Sequence, residues 1–181
     1  MKNALERFLI ALQYEKNRSP HTVRAYLSDL RQFRHYLLEK NLCLKSDQND
    51  IALAAVDQLV IRSYLSAIFK AHSKRSLSRK ISAIKAFFKF LMREKLITTN
   101  PADFISYPSQ GRHLPVVLSV DEMLNLLEAV SGATPLESRD RAMLELAYSS
   151  GLRASELVGL NVDDIDLKEG FVRVMGKGKR E

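Results

Sequence analysis

The sequence predicts a mainly α-helical protein: a bundle of four to five helices, a linker, then a second unit of further helices ending in a β-hairpin. Three observations carry this. Apolar residues recur at helical spacing through about the first hundred positions. Residues 104–117 hold two prolines and a glycine without any helical period. After Asn161 the pattern changes again, to short apolar pairs around a turn.

The first helix is expected from Lys2 to about Lys16, with Leu5, Phe8, Leu9 and Leu12 on one side. Ser19 suits an N-cap and Pro20 the first helical position of a second helix, which runs to about Lys40. Val23, Tyr26, Leu30, Phe33 and Leu37 form its apolar stripe. A polar loop around Ser46–Asp50 follows. A third helix is expected over about Val56–Ala71, capped by Asp57 or a neighbour, and a fourth over about Leu77–Lys95, ended by Pro101. Beyond the linker, Ser119 with Glu122 forms a capping-box pattern. That helix stops before Gly132. Another spans about Pro135–Ser149, and a short one about Arg153–Leu160. Ile165/Leu167 and Phe171/Val172/Val174 then flank a Lys-Glu-Gly turn, as in a hairpin. The expected domains are residues 1–103, a linker over 104–117, and residues 118–181.

Charge divides at the same place. Residues 1–112 hold 20 Lys/Arg against 9 Asp/Glu (+11), and residues 113–181 hold 8 against 12 (−4). A basic first half suits a polyanion-binding surface. One cysteine, Cys43, excludes an internal disulfide framework, and FLIAL is too short for a signal core or membrane span. The expectation is a cytoplasmic protein without a membrane segment.

The basic residues of the first half fall on helix faces. On the fourth helix Arg75, Arg79, Lys89 and Arg93, with Ser82 and Ala86, lie away from Leu77, Ile81, Ile84, Phe88 and Leu91, and Lys74 stands in its first turn. On the second, Arg24, Ser28, Arg31 and His35 oppose the apolar stripe. Such faces can neutralise phosphates and offer bidentate arginines to phosphate or guanine. A charged outer face is also what any solvated amphipathic helix shows. Two such faces, nearly free of acids, in a half with +11 net charge favour Arg24, Arg31, Lys74, Arg75, Arg79, Lys89 and Arg93 as DNA-binding residues.

His21, His35, His72, His113 and Cys43 have no metal-ligand spacing, and there is no dinucleotide or Walker loop. No metal and no small-molecule cofactor is expected. Asp163 and Asp164 sit beside a turn and are expected to cap or solvate it, not to act as catalytic carboxylates. Arg153 stands out in the apolar run YSSGLRASELVGL: it follows a glycine break, with Glu156 three residues on. A guanidinium there can grip a phosphodiester, with Glu156 orienting it, and Lys177 in GKGK can deliver a proton. The spacing equally allows a simple Arg153–Glu156 ion pair and a solvated lysine.

The stretch GLRASELVGLNVDDIDLKEGFVRVMGKGKRE closely resembles the opening of the catalytic domain of tyrosine recombinases, the phage-integrase superfamily, in its Xer type. SPHTVRAYLSDLRQF and SAIKAFFKFLMREKLITTNPA resemble the helical, SAM-like core-binding domain of the same family. The resemblance implies site-specific recombination through a 3′-phosphotyrosyl intermediate, without ATP or metal. It implies that Arg153 is the first catalytic arginine, that Lys177 is the general acid for the 5′-hydroxyl, with Lys179 a weaker alternative, and that Glu156 supports them. It implies duplex DNA as partner and a tetrameric synapse of recombinase protomers at full length.

One departure matters. The family's later His-x-x-Arg segment and nucleophilic tyrosine lie downstream of this stretch, whereas Tyr14, Tyr26, Tyr36, Tyr64, Tyr107 and Tyr148 all precede Arg153. The chain is therefore expected to bind DNA as a monomer without cleaving it by itself. The start of the chain fits chromosome-dimer resolution better than an integrase with an added N-terminal module. The alternatives are a non-catalytic DNA-binding regulator derived from a recombinase and, more remotely, a helical scaffold that uses no nucleic acid.

Overall fold

The computed structural model describes residues 1–15, 19–46, 50–109, 111 and 116–174. The chain forms two compact units, Met1–Arg112 and His113–Glu181.

In the first unit, α1 (Lys2–Ile10) continues as a π-helical turn over Ala11–Glu15, so the expected single helix is two kinds of helix. The widened turn still buries Ala11 and Leu12 along with Leu5 and Phe8. Helix α2 (Pro20–Glu39) starts as its sequence dictates: Ser19 Oγ accepts from the Thr22 amide at 3.3 Å, with Pro20 where no amide is needed. Helix α3 (Gln58–Phe69) is capped by Asp57, whose Oδ1 accepts from the Val60 amide at 2.8 Å. Helix α4 (Lys74–Arg93) begins three residues before the expected Leu77, because Ser73 caps a polar first turn that apolar periodicity does not register.

The core lies where these helices face one another. Phe8 of α1 meets Phe87 and Phe90 of α4 at ring-centroid distances of 5.5 and 5.4 Å. Tyr64 of α3 meets Phe33 and Tyr36 of α2 at 5.0 and 5.3 Å. Two aromatic clusters, each joining two helices, thus knit the bundle. The polar loop after α2 is pinned through Asp50, which bonds the amino group of Met1 at 2.5 Å and Arg34 Nε at 3.4 Å. Burial pushes the Asp50 carboxyl up, but the Met1 ammonium and two backbone amides outweigh it and hold it well below the usual range.

The opening of the segment read as a linker stays on the first unit. Ile105 is 4% exposed, Lys85 Nζ donates to the Asp103 carbonyl at 3.2 Å, and the same ammonium sits 4.9 Å from the Tyr107 ring. Proline and glycine content marks irregular backbone, but it does not register one isoleucine reaching back into a core.

The Tyr64 hydroxyl is buried and, among the described residues, has no hydrogen-bond partner. Burial, aided by the negative charge of Asp29, pushes its pKa from 10.0 up to about 12. As pH rises, the unfolded chain ionises this phenol first. Its contribution to stability is therefore complete below about pH 10 and is lost towards about pH 12. Tyr64→Phe is expected to shrink that alkaline loss and to leave neutral-pH stability within about 1 kcal/mol of wild type. Urea midpoints measured from pH 8 to pH 12, as order-of-magnitude bounds of the window, check this. An identical alkaline decline in the variant contradicts it.

The second unit contains α5 (Val120–Glu128), α6 (Pro135–Ser150) and α7 (Ala154–Val158), then a hairpin of β1 (Ile165–Asp166) and β2 (Phe171–Val172). Helix α5 carries the expected Ser119–Glu122 capping box, and α6 has a second one from Thr134 and Glu137. The strands pair antiparallel, Ile165 with Val172 and Asp166 with Phe171. Asp166 Oδ1 fixes the turn by accepting from the Lys168 and Glu169 amides. No described residue of this unit is buried, and Val158, Val162 and Leu167 are almost fully exposed. Its helices and hairpin are formed, while the apolar side chains of its described residues are not covered.

Candidate nucleic-acid interface

Helix spacing gathers several exposed cations of the first unit on two faces. On α4, Arg75, Arg79, Ser82, Ala86, Lys89 and Arg93 follow one another at intervals of three or four. Lys74, Arg75, Arg79, Lys89 and Arg93 are exposed. On α2, Arg24, Ser28, Arg31 and His35 do the same and are exposed. A cleft of about 660 Å³ runs between α2 and α3, with Arg24, Arg31 and His35 along it.

The seven predicted residues are not equivalent. Among the described residues Arg24, Arg31, Lys74, Arg75 and Lys89 have no carboxylate partner, and Arg24 Nη2 lies 3.1 Å from His21 Nδ1. Arg93 is engaged, with Glu94 at 3.3 Å and its guanidinium 5.4 Å from the Phe90 ring. Arg79 is engaged too, in a way the sequence reading did not anticipate. Its Nη1 donates to Asp29 Oδ2 and, at 3.3 Å, to the Ala25 carbonyl.

Asp29 and Lys80 are the residues the sequence reading missed. Both are buried, at 1% and 2% exposure, and Lys80 Nζ donates to Asp29 Oδ1 at 3.1 Å and to Gln32 Oε1. A signal for them was present. At 100° per residue Lys80 falls inside the stripe of Leu77, Ile81 and Ile84, and Asp29 falls beside Phe33. Opposite charges embedded in two apolar stripes are an interhelical pair waiting for its partner.

In the second unit, Gly151 closes α6 in the left-handed region at φ 62°, and Arg153 becomes the N-cap of α7. Glu156 holds the arginine at both ends. One carboxylate oxygen accepts from the Arg153 amide at 2.8 Å and the other from its Nη1 at 2.7 Å. These hydrogen bonds, the backbone one first, and the arginine charge keep the Glu156 carboxyl below its ordinary range. Glu156 is 10% exposed while the Arg153 side chain is 73% exposed. The carboxylate is seated and the guanidinium still faces solvent, an arrangement that orients the arginine and leaves it open to an anion. Lys177 and Lys179 lie outside the described residues. Asp164 caps the turn before β1, accepting from the Asn161 amide at 2.8 Å. Among the described residues no group of three or more His, Cys, Asp or Glu side chains could hold a metal ion, and no helix is long and apolar enough to cross a membrane.

Residues 5–95 match the family described as phage integrase, N-terminal SAM-like domain, and residues 116–181 match the phage integrase family. The chain belongs to this family of tyrosine recombinases. It is similar to the tyrosine recombinase XerC of Syntrophus aciditrophicus (strain SB), at 40% identity over 100% of this chain and 58% of the relative. It is also similar to XerC of Myxococcus xanthus, at 42% identity over 98% of this chain and 56% of the relative. The chain thus spans a little over half the length of these relatives. Solved structures share the fold. A lambda integrase tetramer bound to a Holliday junction matches with a TM-score of 0.71 at 20% identity, over 98% of this chain and 47% of that one. The XerH recombinase bound to a palindromic difH substrate gives 0.67 at 19% identity, over 97% and 50%.

Proposed function

We propose that this chain provides the DNA-binding domain and the first part of the catalytic domain of a Xer-like, cytoplasmic site-specific recombinase. The observation that carries this is the pair of basic faces on α2 and α4. They are nearly free of acids, and Asp29 of α2 pairs with Lys80 of α4 where the two helices meet. In this reading residues 1–103 supply the DNA-binding domain and residues 118–181 open the catalytic one. Arg24, Arg31, Lys74, Arg75, Arg79, Lys89 and Arg93 engage duplex DNA.

At the scissile phosphate, Arg153 holds two non-bridging oxygens and balances the extra charge that develops in the pentavalent transition state. Glu156 keeps the guanidinium aimed. Attack by a tyrosine oxygen forms the P–O bond of a 3′-phosphotyrosyl link as the bond to the 5′-oxygen breaks. Lys177 gives its proton to that leaving oxygen. The phosphodiester energy is kept in the new link, so rejoining needs no ATP. In the family the attacking tyrosine follows the arginine that Arg153 matches, and all six tyrosines of these 181 residues precede Arg153. DNA binding is the property to test first on these 181 residues. Protomers completing the catalytic domain would assemble as a tetramer on two duplexes.

The test is a titration against a duplex carrying a candidate recombination site and a scrambled duplex, at several salt concentrations. The expected result is site-preferring binding with log K falling by about 0.9 per phosphate neutralised for each tenfold rise in salt. Weak, salt-insensitive retention of both duplexes would remove the basic faces from the reading.

A further inference from the structure

One guanidinium in the basic surface is built differently from the rest. Asp29 divides its two buried oxygens between α4 cations, Oδ1 to Lys80 Nζ and Oδ2 to Arg79 Nη1. A buried ion pair rarely stabilises more than an apolar pair of similar volume. What an apolar pair cannot do is hold an arginine. Arg79 Nη1 is fixed twice, by Asp29 and by the Ala25 carbonyl, both on α2, while the side chain remains 44% exposed. Its Nε and Nη2 donate to no described residue. The other exposed cations, Arg24, Arg31, Lys74, Arg75 and Lys89, have no such buried anchor.

That difference has a consequence for recognition. A free lysine or arginine can follow a phosphate wherever it lies, but a phosphate contact carries no sequence information. A planar fork held in one orientation suits a fixed bidentate acceptor, such as O6 and N7 of guanine in the major groove. Much of the rotamer freedom a long side chain loses on binding is already lost here. We propose that Arg79 is the base-reading residue of this surface, recognising a guanine, and that Asp29 is its positioning residue. Arg24, Arg31, Lys74, Arg75 and Lys89 contact phosphates. This rests on the DNA-binding reading above and deepens it.

The experiment is selection from a random-sequence duplex library by the full chain and by Arg79→Lys, Asp29→Asn and Arg75→Lys, with salt titrations on the selected pool. Wild type is expected to enrich a motif with one G·C position favoured about tenfold. Arg79→Lys keeps the charge, and so keeps the salt slope within about one ion, but loses that preference. Asp29→Asn weakens the same preference at unchanged slope, and Arg75→Lys retains it. Arg79→Lys is exposed and retains a cation for Asp29, so it decides the matter if Asp29→Asn does not fold by circular dichroism. Undiminished guanine preference in Arg79→Lys overturns the proposal. So does steep, salt-dependent wild-type binding that enriches no motif. Absence of wild-type binding at any salt overturns the DNA-binding reading itself, and the proposal with it.

Discussion

Asp29→Leu is expected to destabilise the first unit by about 3–5 kcal/mol, among the largest effects of any single substitution in this chain. The leucine itself is not the problem, since the site lies among apolar neighbours. The cost falls on Lys80, whose ammonium is 2% exposed and would keep only Gln32 as a partner. Arg79 also loses its anchor, though it can turn to water. Urea unfolding followed by far-ultraviolet circular dichroism measures the loss. The pairing argument makes a second demand: Asp29→Leu combined with Lys80→Met should recover most of it, to within about 1 kcal/mol of wild type, because no charge is then stranded. A single variant costing under about 1 kcal/mol, or a double variant as unstable as the single, would show that the pair does not set the α2–α4 interface.

Reversing charge on both faces is the second large effect. Arg24→Glu with Arg31→Glu on α2, or Arg75→Glu with Lys89→Glu on α4, should lower affinity for duplex DNA about 100-fold or more near 0.1 M salt. The salt slope should flatten by about two ions for each pair. These four are exposed and have no carboxylate partner among the described residues, so their reversal leaves the core intact. Arg79 is deliberately left alone. A glutamate there would face Asp29 across a buried interface and report on folding instead of on DNA. Fluorescence anisotropy with a labelled duplex reads both affinity and slope. Binding unchanged in both double variants would mean that the two faces are solvated surface and nothing more.

The elements that sequence reading located well were those fixed by neighbours a few residues apart. Ser19 before Pro20, Asp57 before α3, and Ser119 with Glu122 each bond an amide three residues away, so the pattern and the structure are one statement. The hairpin turn is equally local, set by Asp166 and Gly170. Arg153 and Glu156 stand three apart, and the bond between them was legible from that spacing. The start of α4 was placed late because its first turn is polar. The π-turn after α1 has no periodic signature at all, since the same apolar residues serve both kinds of helix.

Charge was legible as a sum and misleading as a list. The +11 of residues 1–112 and the outward faces of α2 and α4 follow from composition and helical period. Yet those rules assign Arg79 the same role as Arg75 four residues earlier, and only the arrival of Asp29 across the interface separates them. Lys80 and Asp29 lie about fifty positions apart, and neither has meaning until α2 and α4 are packed.

By itself the sequence determined where α2, α3, α5 and α6 begin, which side of the helices in the first unit is apolar, and that a basic half precedes a mildly acidic one. Those properties depend on residues within one or two turns, whose geometry the backbone fixes. The tertiary structure decided which charges are buried, which cation is held rigid, and that Ile105 belongs to the core. A side chain's solvation is set by whatever element packs over it, and nothing local to the chain encodes that element's identity.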